Sequence, residues 1–426
     1  MQKLLSRGSG ENRSVERAAR KILDEVKKRG DEAVLEYTRR FDSPGARTIR
    51  VSPAEINRSA DKADPGVVKA LGISAKRIRK FHEMQAEKSW SFKEEGTMLG
   101  QSIRPLRRVG VYVPGGKAAY PSTVLMNVIP AQVAGVKEIA VCVPSPDGQV
   151  NPYVMAAVRM LGIKEVYRVG GAQAIGAMAY GTKTIDKVDK IVGPGNIFVA
   201  YAKKLVFGTV DIDMIAGPSE ILIIADDSAD ASFIAADLLS QAEHDELASS
   251  VLVTDSRRLA GKVAEEVEQQ MAQLKRKKIA RVSIDTYGAI IITKDIRAAT
   301  ALSNSIAPEH LELMTGKPLE VLPMVENAGA IFLGHWTPEA LGDYSAGPNH
   351  TLPTGGSARF FSPLGVYDFY KRSSLIGFTR EGFMGLSHVV EAIADVEGLE
   401  AHANTVRIRR RRLEKIPGMN KAAGSS

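Results

Sequence analysis

Two short stretches of this chain place donor side chains where they could share one ion or one proton. In SQAEHDELASS, residues 240–250, Gln241 and His244 stand three apart at the end of an apolar segment. That spacing projects both from one side of a helix end. Glutamine is an uncommon metal ligand and two residues do not make a site, so a polar helix end that contains a histidine fits equally. In SIAPEHLELM, 305–314, Glu309 and His310 are adjacent. A carboxylate beside an imidazole offers two proton acceptors of different strength, able to serve two different transfers. The competing reading is an acidic residue in the first turn of a helix, near its positive end. The densest stretch, 334–356, carries His335, Asp343, Asn349 and His350 among glycines and prolines. Long irregular segments of this kind are commonly functional. Glu397 and His402 fall on an expected helix near the C-terminus. His335 and His388 are expected to be structural, and His82, among charged neighbours, to face solvent.

These side chains need elements to hold them. The first 90 residues read as helix, with Ala18, Ile22, Val26, Val34 and Tyr37 at helical spacing. From 104 onward, short β-rich runs such as RRVGVYVPGG, EIAVCVPSP and SEILIIADD alternate with helical segments. This rhythm predicts parallel sheets covered by helices, in two βα blocks with a break near 213–220. Ser228 or Asp230 is the expected cap of the helix that ends at Gln241. After about 340 the chain is rich in Gly, Pro and aromatics, then helical to a basic end. Glycines cluster at expected strand ends in VPGG (113–116), VGGAQ (169–173) and VGPGN (192–196). Glycine lets backbone approach a phosphate there, although G-x-G-x-x-G is absent and ligand-free tight turns fit as well.

Composition narrows the classes. The 426 residues are 44% hydrophobic and 25% charged, enough for two or three domains with real cores. No apolar run approaches the roughly 18 residues of a membrane span, and the polar N-terminal stretch has no signal-peptide core. The single cysteine, Cys142, lies in an apolar run and reads as buried core; with no partner for a disulfide, a cytoplasmic, reducing compartment is expected. The formal charge is +8, and removing the five arginines of RIRRRR, 407–412, leaves +3. No aromatics interleave with them, which argues against a nucleic-acid partner.

Taken together, SQAEHDE, APEHLEL, GDYSAGPNHTLPTGG, FSPLGVYDF and EGLEAHANT, with VYVPGG, VGGAQAI, VGPGN and AGPSE, resemble the histidinol dehydrogenase family over nearly the whole chain and in the right order. The resemblance implies an α/β fold of two Rossmann-like βα domains without the glycine fingerprint, with helical N- and C-terminal extensions. The expected division is an arm at 1–20, a first domain from 21–111 plus 220–360, an NAD-binding domain at 112–219 and an extension at 361–426. It implies oxidation of L-histidinol to L-histidine through an aldehyde-level intermediate, with two NAD reduced and one zinc per subunit. Gln241, His244, Asp343 and His402 match the zinc ligands, His402 reaching across a homodimer. Glu309 and His310 match the acid–base pair. Ser219, His350 and Glu397 match substrate contacts, with His310 and the zinc ligands also around the substrate. Tyr112, Gln173 and Asn196 match NAD contacts. Two other readings are a superfamily relative acting on another amino or sulfonated alcohol, and a nucleic-acid-binding protein using the arginine run.

Overall fold

The computed structural model describes residues 12–115 and 120–415. Most of the expected arm at 1–20, Gly116 of the VPGG stretch and the trailing NKAAGSS lie outside the described residues. The chain forms two compact units. One takes in Leu106–Phe369 with the described residues up to Ala86; the other takes in Glu87–Pro105 with the described residues from Tyr370 on.

The first unit contains two sheets. One is built from β1 (Arg50–Val51), β4 (Arg108–Tyr112), β5 (Glu138–Cys142), β6 (Glu165–Tyr167), β7 (Lys190–Val192) and β8 (Asp211–Ile212), in the order β1-β6-β5-β4-β7-β8. All its pairings are parallel except that of β1 with β6. The other is built from β9 (Glu220–Ala225), β10 (Ser249–Thr254), β11 (Ala289–Ile292), β12 (His310–Met314) and β13 (Ala330–Leu333), in the order β11-β10-β9-β12-β13, all parallel. In each sheet the founding strand is central, and the order reverses beside it, between β4 and β7 and between β9 and β12. The break between blocks falls between Ile212 and Glu220, where the sequence predicts it.

Every residue of β4, β9, β10 and β12 is buried. Strands covered on both faces need no polar alternation, which is why they read as continuous apolar runs. Each of Ile221, Leu222, Ile223 and Ile224 contributes roughly 1.5–3 kcal/mol on burial, which offsets the cost of burying the Glu220 carboxyl at the first position of β9. The helix Ala231–Ala242 covers this sheet with Ile234, Ala235, Leu238 and Leu239. Asp230, not Ser228, caps it, its Oδ1 accepting from the Ser232 amide at 2.8 Å. Cys142 is buried in the core, as expected.

The N-terminal helices depart from the expected grouping of 21–111 with 220–360. Arg13–Arg29 packs on Gly171–Tyr180 and Ile197–Val206, Pro53–Ala60 on Pro152–Met160, and Pro65–Glu83 on Pro121–Ala134. Their apolar stripes, Ala19, Ile22, Leu23 and Val26 among them, complete the core around the six-stranded sheet. Periodicity shows that these helices bury a face but not which sheet receives it. His82 is also corrected: it is fully buried in the helix Pro65–Glu83. Its Nδ1 donates to the Ile78 carbonyl at 2.8 Å, and its Nε2 faces Asn349 Nδ2 at 3.5 Å. A histidine with both nitrogens engaged is tolerated among apolar residues that the charged sequence neighbours conceal.

The second unit begins its own sheet with β2 (Trp90–Glu94) and β3 (Thr97–Pro105), to which β14 (Tyr370–Phe378) adds antiparallel, giving β14-β3-β2. The expected C-terminal helices follow as Arg380–Val396 and Glu400–Glu414. Arg407 pairs with Glu391 and Asp395, and Arg410 with Glu391 at 2.7 Å, so part of the arginine run ties these two helices together. His388 is exposed on the first of them.

Candidate active site

His310 is the first residue of β12, not part of a helix turn. Its neighbour β9 starts at Glu220, so two acidic or basic residues open adjacent parallel strands. The candidate site on this sheet therefore lies at the amino ends of β9 and β12, opposite to the carboxyl-end position expected for open α/β sheets.

The hydrogen bonds define the histidine's tautomer. His310 Nδ1 lies 2.9 Å from the Glu220 carbonyl oxygen. A carbonyl only accepts, so Nδ1 carries the hydrogen and the neutral ring keeps its lone pair on Nε2. Nε2 is buried and has no hydrogen-bond partner; it faces Glu339 Oε1 at 3.7 Å and Asp343 Oδ1 at 4.0 Å. Glu309 Oε2 accepts the Glu220 amide at 2.9 Å and lies 3.7 Å from His310 Nδ1. One residue of β9 thus holds both groups, the Glu220 N–H on the carboxyl and the Glu220 C=O on the imidazole.

Burial pushes the Glu309 carboxyl up to about 8, against the lowering effect of His310 and the Glu220 amide. Burial alone would lower His310, but the carboxylates of Glu309, Glu339 and Asp343 outweigh it and raise the imidazole to about 9. Burial also raises Glu339. A site with several carboxyls around one imidazole in a dry setting holds protons where isolated side chains would have lost them.

The other expected residues are placed as follows. Gln241, in the last turn of the helix Ala231–Ala242, is fully buried with neither amide atom hydrogen-bonded. His244 is exposed just past that helix, its amide bonded to the Gln241 carbonyl at 3.2 Å. Asp343 lies on the short helix Glu339–Tyr344, its side chain 19% exposed. His350 donates from Nδ1 to the Asp343 carbonyl at 3.0 Å, and burial lowers its pKa. Ser219 is half-buried and immediately precedes Glu220. Glu397 and His402 belong to the second unit: Glu397 ends the helix Arg380–Val396 and His402 lies in the next helix, both exposed. Among the described residues, His310, Glu339 and Asp343 bring one ligand atom each to within 4.8 Å of one another, a possible metal-binding triad. The unbonded, buried amide of Gln241 and the largely buried Asp343 carboxylate suit a divalent ion with nitrogen and oxygen donors.

Sequence reasoning passed over Glu220, Glu312, Glu339 and Asp237, all buried around this cluster. Glu312 had a signal, since residues two apart on a strand share a face with His310. Asp237 had a weaker one, as a charged residue in the apolar segment IAADLLSQA.

The expected dinucleotide contacts gather on the six-stranded sheet. Tyr112 ends β4, and its buried hydroxyl accepts the Gly171 amide at 3.1 Å. Gln173 is buried with both amide atoms unbonded. Asn196 caps the helix Ile197–Val206, accepting from Phe198 and Val199 at 3.0 and 3.2 Å. These are carboxyl-end positions beside the order reversal between β4 and β7. Gly193, after β7, has φ +109°, and a Cβ there would overlap the Tyr112 carbonyl, so the turn needs glycine for two reasons. A cleft of about 540 Å³ lined by Ser43, Arg47, Asp147 and Arg168 among others opens near the carboxyl ends of β5 and β6, on this sheet and away from His310.

This chain is similar to known proteins along nearly its whole length. Residues 5–410 match the family model described as histidinol dehydrogenase. The histidinol dehydrogenase of Geobacter sulfurreducens is 55% identical over 410 residues, covering 95% of this chain and 96% of that protein. That of Aquifex aeolicus is 56% identical over 409 residues, covering 96% and 95%. A crystal structure of histidinol dehydrogenase from Elizabethkingia anophelis superposes with a TM-score of 0.93 at 38% identity, covering 97% of this chain and 96% of that one.

Proposed function

The chain belongs to the histidinol dehydrogenase family, and on that premise we propose that it oxidises L-histidinol to L-histidine in two successive hydride transfers to NAD at a zinc-dependent site. The observation that carries the reading is the buried His310–Glu309 pair held by the backbone of one residue, Glu220, with His310 Nε2 left without a hydrogen-bond partner. A two-step oxidation needs two separate proton acceptors, and this pair supplies them.

In the first step His310 Nε2, once deprotonated, takes the hydroxyl proton as hydride leaves the alcohol carbon, giving the aldehyde, one NADH and one proton. Glu309, once deprotonated, takes a proton from the water that adds to the aldehyde carbon. The resulting hydrate anion then loses hydride to a second NAD, giving the carboxylic acid and a second NADH, while the proton taken by Glu309 passes to solvent. Desolvation keeps the proton affinity of Glu309 near 8, close enough to neutrality to gain and lose a proton each turnover. Gln241, His244, Asp343 and the partner's copy of His402 would hold zinc. When bound, the zinc orients the substrate's imidazole and amine. Ser219, His350 and Glu397 contact substrate, and Tyr112, Gln173 and Asn196 contact NAD, with the half of the unit built on 112–219 serving the dinucleotide. In support, the Gln173 amide is buried without a partner and the strand order reverses beside Tyr112.

A homodimer with shared sites would cover apolar residues exposed on the second unit, including Trp90, Phe92, Ile376 and Val396. Among the described residues no helix is long and apolar enough to cross a membrane. With Cys142 the only cysteine, a cytoplasmic setting is part of the proposal.

The test is a stoichiometry. Zinc-loaded protein with excess NAD and limiting L-histidinol should yield two NADH per histidinol, with histidine as product. One NADH per histidinol would remove the role given to Glu309. None from folded, zinc-bound dimer would overturn the substrate and favour another amino alcohol.

A further inference from the structure

Pro130 leaves one carbonyl of a buried helix without its usual donor, and the residue next to His350 supplies another. The helix Pro121–Ala134 is the crossover from β4 to β5 in the six-stranded sheet, and Pro130 lies inside it. Proline has no N–H, so the carbonyl four residues earlier, that of Met126, loses its intrahelical partner. Asn349 Nδ2 donates to that carbonyl at 2.5 Å. The rest of the Asn349 amide is engaged too. Its Oδ1 accepts the Thr351 amide at 2.9 Å, and Nδ2 faces His82 Nε2 at 3.5 Å. Asparagine suits a place that needs two donors and one acceptor on a short side chain.

The same helix reaches His350 itself. His350 Nδ1 donates to the Asp343 carbonyl, which leaves Nε2 as the acceptor, and Thr123 Oγ1 lies 3.4 Å from it. Thr123 and Asn349 are both buried, where a lost partner is felt most. Asn127 ties the two contacts together. Its Nδ2 donates to the Thr123 carbonyl at 2.9 Å and reaches Thr351 Oγ1 at 3.5 Å.

We propose that Asn349 and Thr123 are positioning residues: they seat His350 on the crossover helix of the dinucleotide sheet, and so fix where it meets the substrate relative to bound NAD. The inference rests on the substrate contact proposed above for His350. Pro130 supplies a way to separate positioning from plain stability, because Pro130→Ala returns an N–H to the Met126 carbonyl. If Asn349 only satisfies that carbonyl, Pro130→Ala repairs its loss completely. If Asn349 seats His350, the stability returns and the substrate defect stays.

The experiment compares wild type, Asn349→Ala, Pro130→Ala, their double variant, Thr123→Val and Thr123→Ser as full-length protein at saturating zinc. It reads kcat, the KM for histidinol and for NAD, and the urea midpoint. Asn349→Ala should lower kcat/KM for histidinol by up to about 100-fold, the cost of a misplacement of about 1 Å. Its KM for NAD should hold, and its urea midpoint should fall. Pro130→Ala alone should keep wild-type kinetics, since the two lone pairs of a carbonyl accept both donors. The double variant should regain the midpoint and not kcat/KM. Thr123→Val keeps the shape and removes the hydroxyl, so it should lower kcat/KM for histidinol, and Thr123→Ser should restore it. If Asn349→Ala does not fold, the double variant and Thr123→Val read the same seat. A double variant that regains kcat/KM along with the midpoint overturns the inference, as does wild-type kcat/KM in folded Thr123→Val. Wild-type kcat/KM in His350→Gln is a different result, and refutes the substrate contact instead.

Discussion

Replacing Lys203 with methionine should separate the stability of the dinucleotide turn from the chemistry at His310. Lys203 and Asp213 form an ion pair with side chains 2% and 1% exposed. Lys203 Nζ also donates to the Gly193 carbonyl at 3.0 Å, while Asp213 Oδ2 accepts the Gly193 amide at 2.7 Å and Oδ1 the Met214 amide at 2.6 Å. Both backbone polar groups of Gly193 are therefore held by this pair. Methionine matches the length of lysine but strands the Asp213 carboxylate in the core, a defect that costs about 3–5 kcal/mol. Adding Asp213→Asn removes that charge. The double variant should then lose only about 1–3 kcal/mol, for amide bonds imperfectly replaced. Urea unfolding followed by circular dichroism gives the four corners of the cycle. The KM for NAD should rise in Lys203→Met, because Asn196 follows the loosened turn, while the KM for histidinol stays put. Additivity of the two single changes to within about 0.5 kcal/mol would show no coupling and refute the reasoning.

The metal-free protein should lose stability as pH rises from 6.5 toward 9, read as a falling unfolding temperature. The sign follows from two raised groups: Glu309 keeps its proton to about 8 and His310 to about 9 in the fold, whereas the unfolded chain releases both below 7. Each retained proton contributes about 1.4 kcal/mol per pH unit over its window; Glu309→Gln with His310→Gln should flatten the profile, and an unflattened one counts against the buried pair. Asp343→Ala and His244→Ala should lower zinc content and activity together by elemental analysis, and full zinc in both would reassign the ligands. Gly193→Ala should raise the KM for NAD and destabilise the fold, since its side chain meets the Tyr112 carbonyl at positive φ; wild-type behaviour would mean the turn relaxes freely.

The two sheets of the first unit use opposite ends. On the six-stranded sheet the candidate residues follow strands; on the five-stranded sheet Glu220 and His310 begin them. Adjacent parallel strands with neighbouring starts bring a carbonyl of one to the imidazole of the other. This is how a base can be oriented without a dedicated carboxylate on its Nδ1.

Much of this was legible in the chain. Local sequence carries hydrophobic period, turn glycines and caps, so the βα rhythm, the break near 213–220, a cap at Ser228 or Asp230 and the buried Cys142 follow from neighbours along the chain. The adjacency of Glu309 and His310 and the spacing of Gln241 and His244 are likewise properties of the sequence alone. What tertiary structure decided depends on contacts between distant segments. His82 looks solvated from its charged neighbours and is buried by packing around Asn349. The N-terminal helices show an apolar stripe, but only packing reveals that it meets the six-stranded sheet. Glu312, Asp237 and Glu339 are unremarkable acids in three separate segments, from 237 to 339, and become one cluster because β12 and two helix ends converge. The proton affinities of Glu309 and His310 arise the same way, since burial and the charges facing a group are set by the fold and not by its neighbours in sequence.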